Sequence, residues 1–315
     1  MNHMTWLQTD YLLVLQHFRE CTCGVFDEFF LNITLFGEVF IPLAVICFFY
    51  WCFDKKTGFF ILSSYLYCFL INTFIKTTAC IYRPWILEPN IKPVSQAIAA
   101  ATGYSFPSGH TAGATAVFGG IALSFSKNKM IFYACLCIIF LVMFSRNYLG
   151  VHTPQDVVAA FIISWIILLI NKKIFERSNK YIDLTIVVIT TVLSIFLALY
   201  VNYKSYPLDY LNGQILYNPN PVKTEIVTRV GFVLGAFWGW FIENRFIKFS
   251  PQTGSFFKKS LRYVTGILSL LIIACLCKLL TSNFLSVKIG MFLEYFILAS
   301  FITCLYPLLL KKLNA

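Results

Sequence analysis

From about Phe30 to the end of the chain, stretches of roughly twenty apolar residues alternate with short polar loops. A helix rising 1.5 Å per residue needs about 20 residues to cover a hydrocarbon core of roughly 30 Å, so the pattern predicts membrane spans. They are expected at about 30–53, 59–79, from Pro107 to the KNK at 127–129, 130–144, from Thr153 to the NKK at 171–173, 182–201, 226–247, 261–280 and 289–310, nine in all. The expected fold class is all-α, a polytopic membrane helical bundle. Gly37, Glu38 and Pro42 interrupt the first span, which predicts a bend or a stretch shielded by protein. Small residues in the third (TAGATA, FGGIA) permit close helix packing, and Gly113, Gly119 and Gly120 are read as packing residues. Between the second and third spans, the SQAIAAATG part of the 81–106 loop is expected to form a short helix.

Composition agrees with this reading, since 58% of the 315 residues are hydrophobic and only 12% charged. A formal charge of +11 raises the question of nucleic acid, but the basic residues sit in short loops rather than in a stripe, so no nucleic-acid partner is expected. They report orientation instead. If the loops alternate sides, fifteen of the 25 Lys and Arg fall on one face, in the loops at 54–58, 127–129, 172–180 and 245–262 and at 311–312. The positive-inside rule makes that face cytoplasmic, with the N-terminus outside and the C-terminus inside. Residues 1–29 carry Asp10, His17, Arg19 and Glu20 around a short apolar centre, which fits a helix lying on the membrane surface and not a cleavable signal peptide. The eleven cysteines, most of them inside spans, are read as small buried hydrophobes rather than as metal ligands or disulfides. Glu38, Glu243 and Glu294 are read as structural ion-pair partners.

Three polar stretches stand at the edges of apolar runs, where polar groups are costly unless they serve a purpose. They are KTTACIYRP (76–84), PSGH (107–110) and SRNYLGVHTPQD (145–156). Thr153 is an expected N-cap with Pro154 at the first helical position and Asp156 in the first turn. His152 and Asp156, four apart at a helix start, can pair so that the carboxylate fixes the imidazole tautomer and leaves the other ring nitrogen free to attack. His110 can then protonate a leaving oxygen. Lys76, Arg83 and Arg146 can supply cations for a phosphoryl group, and Ser108 and Gly109 a hydroxyl and backbone N–H groups at a helix N-terminus.

In order, K-x6-RP, PSGH and SR-x5-H-x3-D resemble the three-part signature of the type 2 phosphatidic acid phosphatase superfamily of membrane phosphatases. The resemblance implies a phosphohistidine on His152, orientation of that ring by Asp156, general acid catalysis by His110, and phosphate binding by Lys76, Arg83, Ser108, Gly109 and Arg146. It implies no metal and no cofactor. The division it suggests is an interfacial segment at 1–29, a phosphatase-like core at 30–171 and a four-helix membrane module at 172–315. The layout is similar to the sphingosine-1-phosphate phosphatase and glucose-6-phosphatase branches, although the former carry PSTH where this chain has PSGH.

The leading expectation is an integral-membrane phosphatase for a lipid phosphate or pyrophosphate, such as a polyprenyl pyrophosphate, phosphatidate or a sphingoid-base phosphate. Its active site would lie on the extracytoplasmic or lumenal face, with membrane lipids around it. A sugar-phosphate phosphatase is the alternative enzyme, and an anion transporter using Lys76, Arg83 and Arg146 the alternative of another class. A transporter has no need of two histidines and an aspartate. Vanadium haloperoxidase chemistry shares such a pocket but is not expected in so apolar a chain. The loop from Asn202 to Glu225, with Tyr203, Tyr206, Pro207, Tyr210, Tyr217, Pro219 and Pro221, is expected on the same face, as a cover near the substrate entrance or as a connector.

Overall fold

The computed structural model describes residues 6–177, 180–207, 209–211, 214–215, 218–284 and 287–313. Helix dominates, because backbone amides in hydrocarbon must be satisfied within their own segment. The only strands among the described residues are the two-residue pair Tyr210–Leu211 and Gln214–Ile215. Among the described residues, seven helical segments are long and apolar enough to cross a membrane: Lys55–Leu87, Lys129–Tyr148, Pro154–Glu176, Tyr181–Tyr203, Asn220–Ile247, Phe256–Leu280 and Val287–Lys312. The pair Asp27–Gly37 and Phe40–Phe53, bent by 49° at Glu38 as the Gly-Glu-x3-Pro pattern predicts, makes an eighth if it is counted as one span. The nine-span expectation exceeds this by one. After PSGH the chain is helical through segments of six, five and five residues to Ser124, shorter than the roughly 20 residues a full span needs, because the turn FSKN follows early.

Two compact units divide the chain. The first comprises 1–42, 67–169 and 205–221. Within it Trp6–Cys21 forms the expected N-terminal helix, which docks through Arg19 Nη2 donating to the Lys92 carbonyl at 2.6 Å and the Lys92 N–H donating to Gln16 Oε1 at 2.8 Å. The expected short helix in the 81–106 loop is Ser95–Ala99. Its Ala97 packs with Val94, Ala101, Tyr148, Leu149 and Val151, an apolar cluster seated directly behind the third motif. Each large side chain so buried contributes about 1.5–3 kcal/mol, which anchors a loop that would otherwise wander. Gly119 has the packing role expected of it, since a Cβ there would come within 2.7 Å of Leu168 Cδ1.

The second unit comprises 43–66, 170–204 and 222–315. Gly231, Gly235 and Gly239, four apart, line one face of the Asn220–Ile242 helix. Added Cβ atoms would lie 2.4 Å from the Phe292 carbonyl oxygen, 2.3 Å from that of Phe296 and 2.2 Å from Thr303 Oγ1, so the last span packs backbone to backbone there. Trp51 Nε1 donates to the Ile302 carbonyl at 2.9 Å and Phe59 stacks on Trp240 at 4.2 Å. Glu243 is paired with Lys55 at 2.8 Å, the structural role read for it in the sequence.

Candidate active site

The SRNYLGVHTPQD stretch turns sharply because of one residue. The Lys129–Tyr148 helix ends on Leu149, Gly150 takes φ +72°, and two bonds close the turn: Gly150 N–H to the Asn147 carbonyl at 2.9 Å and Val151 N–H to the Arg146 carbonyl at 3.2 Å. This is a Schellman motif, which favours glycine in the left-handed position. A side chain at Gly150 would also meet Pro93 Cα at 3.1 Å. Two residues on, Thr153 begins the next helix with Pro154 in its first turn, as expected. Thr153 N–H donates to Asp156 Oδ2 at 2.8 Å and Asp156 N–H to Thr153 Oγ1 at 3.3 Å, a reciprocal cap that locks the carboxylate beside His152.

Asp156 Oδ2 also lies 3.2 Å from His152 Nδ1 and accepts from Ser105 Oγ at 2.6 Å. On the far side of the ring, Nε2 is 2.9 Å from Arg83 Nη1. A guanidinium can only donate, so Nε2 must be the acceptor and Nδ1 must carry the proton that faces Asp156. The arrangement thus selects the tautomer with its reactive lone pair on Nε2. His152 is 1% exposed, and burial first, then the cations of Arg83, Arg146 and Lys76, hold it well below the usual histidine range. It is therefore neutral at pH 7.

Arg83 owes its position to the Arg-Pro dipeptide. Pro84 opens a short helix and restricts the residue before it to extended backbone, φ −69°, ψ 153°. From there the guanidinium donates to the carbonyls of Gly103 (3.0 Å), Thr102 (2.8 Å) and Val151 (3.0 Å), besides meeting His152. Lys76 donates to the Tyr104 carbonyl at 2.8 Å. Ser108 caps the Gly109–Ala114 helix, accepting from Thr111 N–H at 3.4 Å, and its own N–H donates to the Asp156 carbonyl at 3.1 Å, which ties the second motif to the third. At Gly109 an added Cβ would meet no heavy atom within 4 Å, so protein packing does not demand a glycine there. Close approach of an anion to the helix N-terminus would.

Arg146 is fully buried, yet only Nη1 is satisfied within the protein, donating to Thr34 Oγ1 at 2.8 Å. Nε and Nη2 have no hydrogen-bond partner. Buried donors are rarely left so, and two adjacent guanidinium N–H groups match the oxygens of one phosphate. His110 Nε2 likewise lacks a hydrogen bond and stands 3.8 Å from Glu38 Oε1.

The structure draws the sequence-predicted residues into one neighbourhood. Asp156, Arg83 and Ser108 are joined to His152 or to one another by the bonds above, and His110, Arg146 and Lys76 act electrostatically on His152. Sequence reasoning missed Thr34, Ser105 and the proximity of Glu38 to His110. The intramembrane acid was a signal for the last, and nothing in the pattern marked the first two. The 205–221 segment also reaches these loops, through Tyr82 Oη donating to Asp209 Oδ2 at 2.8 Å and Tyr206 stacked on Tyr104 at 6.5 Å. Tyr217 lies outside the described residues.

Residues 57–180 match the family described as the PAP2 superfamily, and residues 227–315 match the PAP2 superfamily phosphatase, transmembrane extension. Among curated proteins, the chain is 28% identical over 109 residues to phosphatidylglycerophosphatase B of Bacillus subtilis, covering 32% of this chain and 53% of that protein. It is 30% identical over 120 residues to an undecaprenyl-diphosphatase of Sulfolobus acidocaldarius, covering 36% and 52%. The chain thus spans about half the length of the curated relatives it matches. A solved structure, the first transmembrane PAP2 type phosphatidylglycerolphosphate phosphatase from Bacillus subtilis, aligns with a TM-score of 0.45 and 25% identity over 56% of this chain and 90% of that one.

Proposed function

The chain carries a PAP2 superfamily domain joined to that superfamily's transmembrane extension, and from this premise we propose that it is an integral-membrane phosphatase acting on a lipid phosphate or pyrophosphate. The observation that carries the reading is His152, neutral, with Nδ1–H on Asp156 and the Nε2 lone pair directed at Arg83. In the first step the Nε2 lone pair attacks phosphorus while the bond to the leaving oxygen breaks, and a ring N–H of His110 gives that oxygen its proton. In the second, water attacks the phosphohistidine, His110 takes the water proton, and the P–N electron pair returns to Nε2. Arg83, Arg146, Lys76, Ser108 and the backbone at Gly109 bind the phosphoryl oxygens, whose charge is greatest in the transition state. The carboxylates present, Asp156 and Glu38, both face histidines, so the reaction is assigned to side chains alone and no metal is invoked.

A lipid substrate is favoured by Val39 and Phe40, 52% and 78% exposed beside Glu38, which offer an apolar approach for a chain whose headgroup reaches the site. Both relatives named above, by their names, act on lipid-linked phosphates. The charge distribution supports an extracytoplasmic or lumenal face for the site. Phosphate release by purified protein from polyprenyl pyrophosphate, phosphatidate, a sphingoid-base phosphate and a sugar phosphate tests the reading. Turnover of a lipid substrate is expected to persist in EDTA, to be blocked by vanadate, and to vanish in His152→Ala with alkyl and aryl esters alike. Trapped label is expected to be acid-labile. Retained turnover of an aryl ester by His152→Ala refutes the nucleophile, and preferred turnover of the sugar phosphate refutes the substrate class.

A further inference from the structure

Glu38 falls outside all three motifs and outside the 57–180 family match, yet its carboxylate is within ion-pair reach of His110. Its place is not incidental. The 3-10 turn Leu35–Gly37 sits against the backbone of His110 so closely that a Cβ on Gly37 would lie 2.3 Å from the His110 carbonyl oxygen. Contact without a side chain between the two fixes how far Glu38 stands from the ring. The same short run supplies Thr34 to Arg146. One break in the first apolar segment therefore touches two of the site's functional side chains.

The charges that face His110 explain what the carboxylate does. Glu38, Arg146 and Arg83 all act on it, and His152 lies within electrostatic reach. Burial first, and then two guanidiniums, favour a neutral imidazole, which is a poor acid, and Glu38 is the anion among these groups that opposes them. Its side chain is 30% exposed against 12% for His110, so it stays hydrated enough to hold its own charge.

We propose that Glu38 is a positioning residue that keeps His110 oriented and protonated until the leaving oxygen takes its proton. This rests on the reading of His110 as general acid. Protons balance without Glu38 titrating: His110 gives one to the departing alkoxide, recovers one from the attacking water, and the carboxylate remains an anion throughout. At 3.8 Å the two side chains are within ion-pair reach, and catalytic contacts of this kind commonly tighten in the working complex.

The test measures kcat/KM against pH for wild type, Glu38→Gln, Glu38→Asp and His110→Ala, with an alkyl phosphate, whose leaving group needs a proton, and an aryl phosphate, whose leaving group does not. General acid help is worth about 10²–10⁴-fold, and loss of the supporting anion is expected to forfeit roughly tenfold or more of it on the alkyl ester and under about threefold on the aryl ester. The basic limb of the alkyl profile is expected to move to lower pH in Glu38→Gln and to return toward wild type in Glu38→Asp. Equal losses on both esters with an unmoved pH profile would overturn the proposal. If Glu38→Gln does not accumulate folded in membranes, Glu38→Asp decides alone: retained preference for proton-assisted departure supports the proposal, and an equal loss on both esters overturns it. His110→Ala separates the two claims. If it discriminates between the esters and Glu38→Gln does not, only the role of Glu38 falls; if it does not discriminate, the acid assignment falls and this inference with it.

Discussion

Replacing Arg146 by Met is expected to raise stability while destroying activity. The guanidinium is fully buried, with Nε and Nη2 unpaired and one bond, to Thr34 Oγ1 at 2.8 Å. A buried donor without a partner costs about 1–3 kcal/mol, so the two together cost roughly 2–6, whereas the Thr34 bond, made by a charged donor, returns about 1.5–3 kcal/mol. Methionine has similar reach, removes both orphans and relieves repulsion from Arg83. A net gain of roughly 2 kcal/mol corresponds to a thermal midpoint higher by several degrees, at about 2–4 °C per kcal/mol for a large domain. Catalysis moves the other way, since two charge-assisted hydrogen bonds of about 1.5–3 kcal/mol each are lost from the transition state, or roughly 10²–10⁴-fold in kcat/KM. The assay is thermal unfolding of the detergent-solubilised protein followed by tryptophan fluorescence, with and without vanadate, beside turnover of an aryl phosphate. Vanadate is expected to stabilise wild type and not the variant, because only wild type has the two donors waiting. A variant that melts below wild type, or an equal vanadate shift in both, would refute the idea that these donors are held in reserve for an anion.

Three further outcomes are expected. Because burial and the neighbouring cations hold His152 well below its ordinary 6.5, its nucleophilic neutral form persists as pH falls through that value, and kcat/KM is expected to show no acid limb there; a limb centred near 6.5 would contradict the burial of His152. The sign for stability follows, since the unfolded chain binds the proton first: the contribution of a neutral His152 is full above 6.5 and is lost as pH falls below it, read as a declining thermal midpoint. With accessible native thiols replaced, a cysteine at the exposed position Lys92 is expected to react with an impermeant reagent from outside and one at Asn128 not to react, and the opposite pattern would invert the active-site face. Tyr206→Ala, which removes the stack on Tyr104, is expected to change the ranking of lipid substrates by several-fold more than it changes turnover of a small ester, and equal effects would reduce the 205–221 segment to a connector.

The helical membrane architecture could be read from the residues alone, because hydrocarbon demands long apolar segments with internally satisfied backbones, and that demand is written in composition and length. The sequence also marked the eight motif residues, because charge at a membrane edge is costly and conspicuous. The reciprocal cap of Thr153 and Asp156 was legible for the same local reason, as its partners lie three residues apart. The break at Glu38 was legible too, but its meaning was not. It takes the folded chain to show that this break abuts His110, that Thr34 holds Arg146, that Ser105 shares the oxygen of Asp156, and that Arg83 caps His152. These contacts join residues from 51 to more than 100 positions apart, and serine or threonine in an apolar chain is ordinary until its neighbour is known. The missing ninth span has a related cause. The helix after PSGH is the segment whose N-terminus caps the site, and it stops at Ser124, a length that no periodicity in its small residues announces.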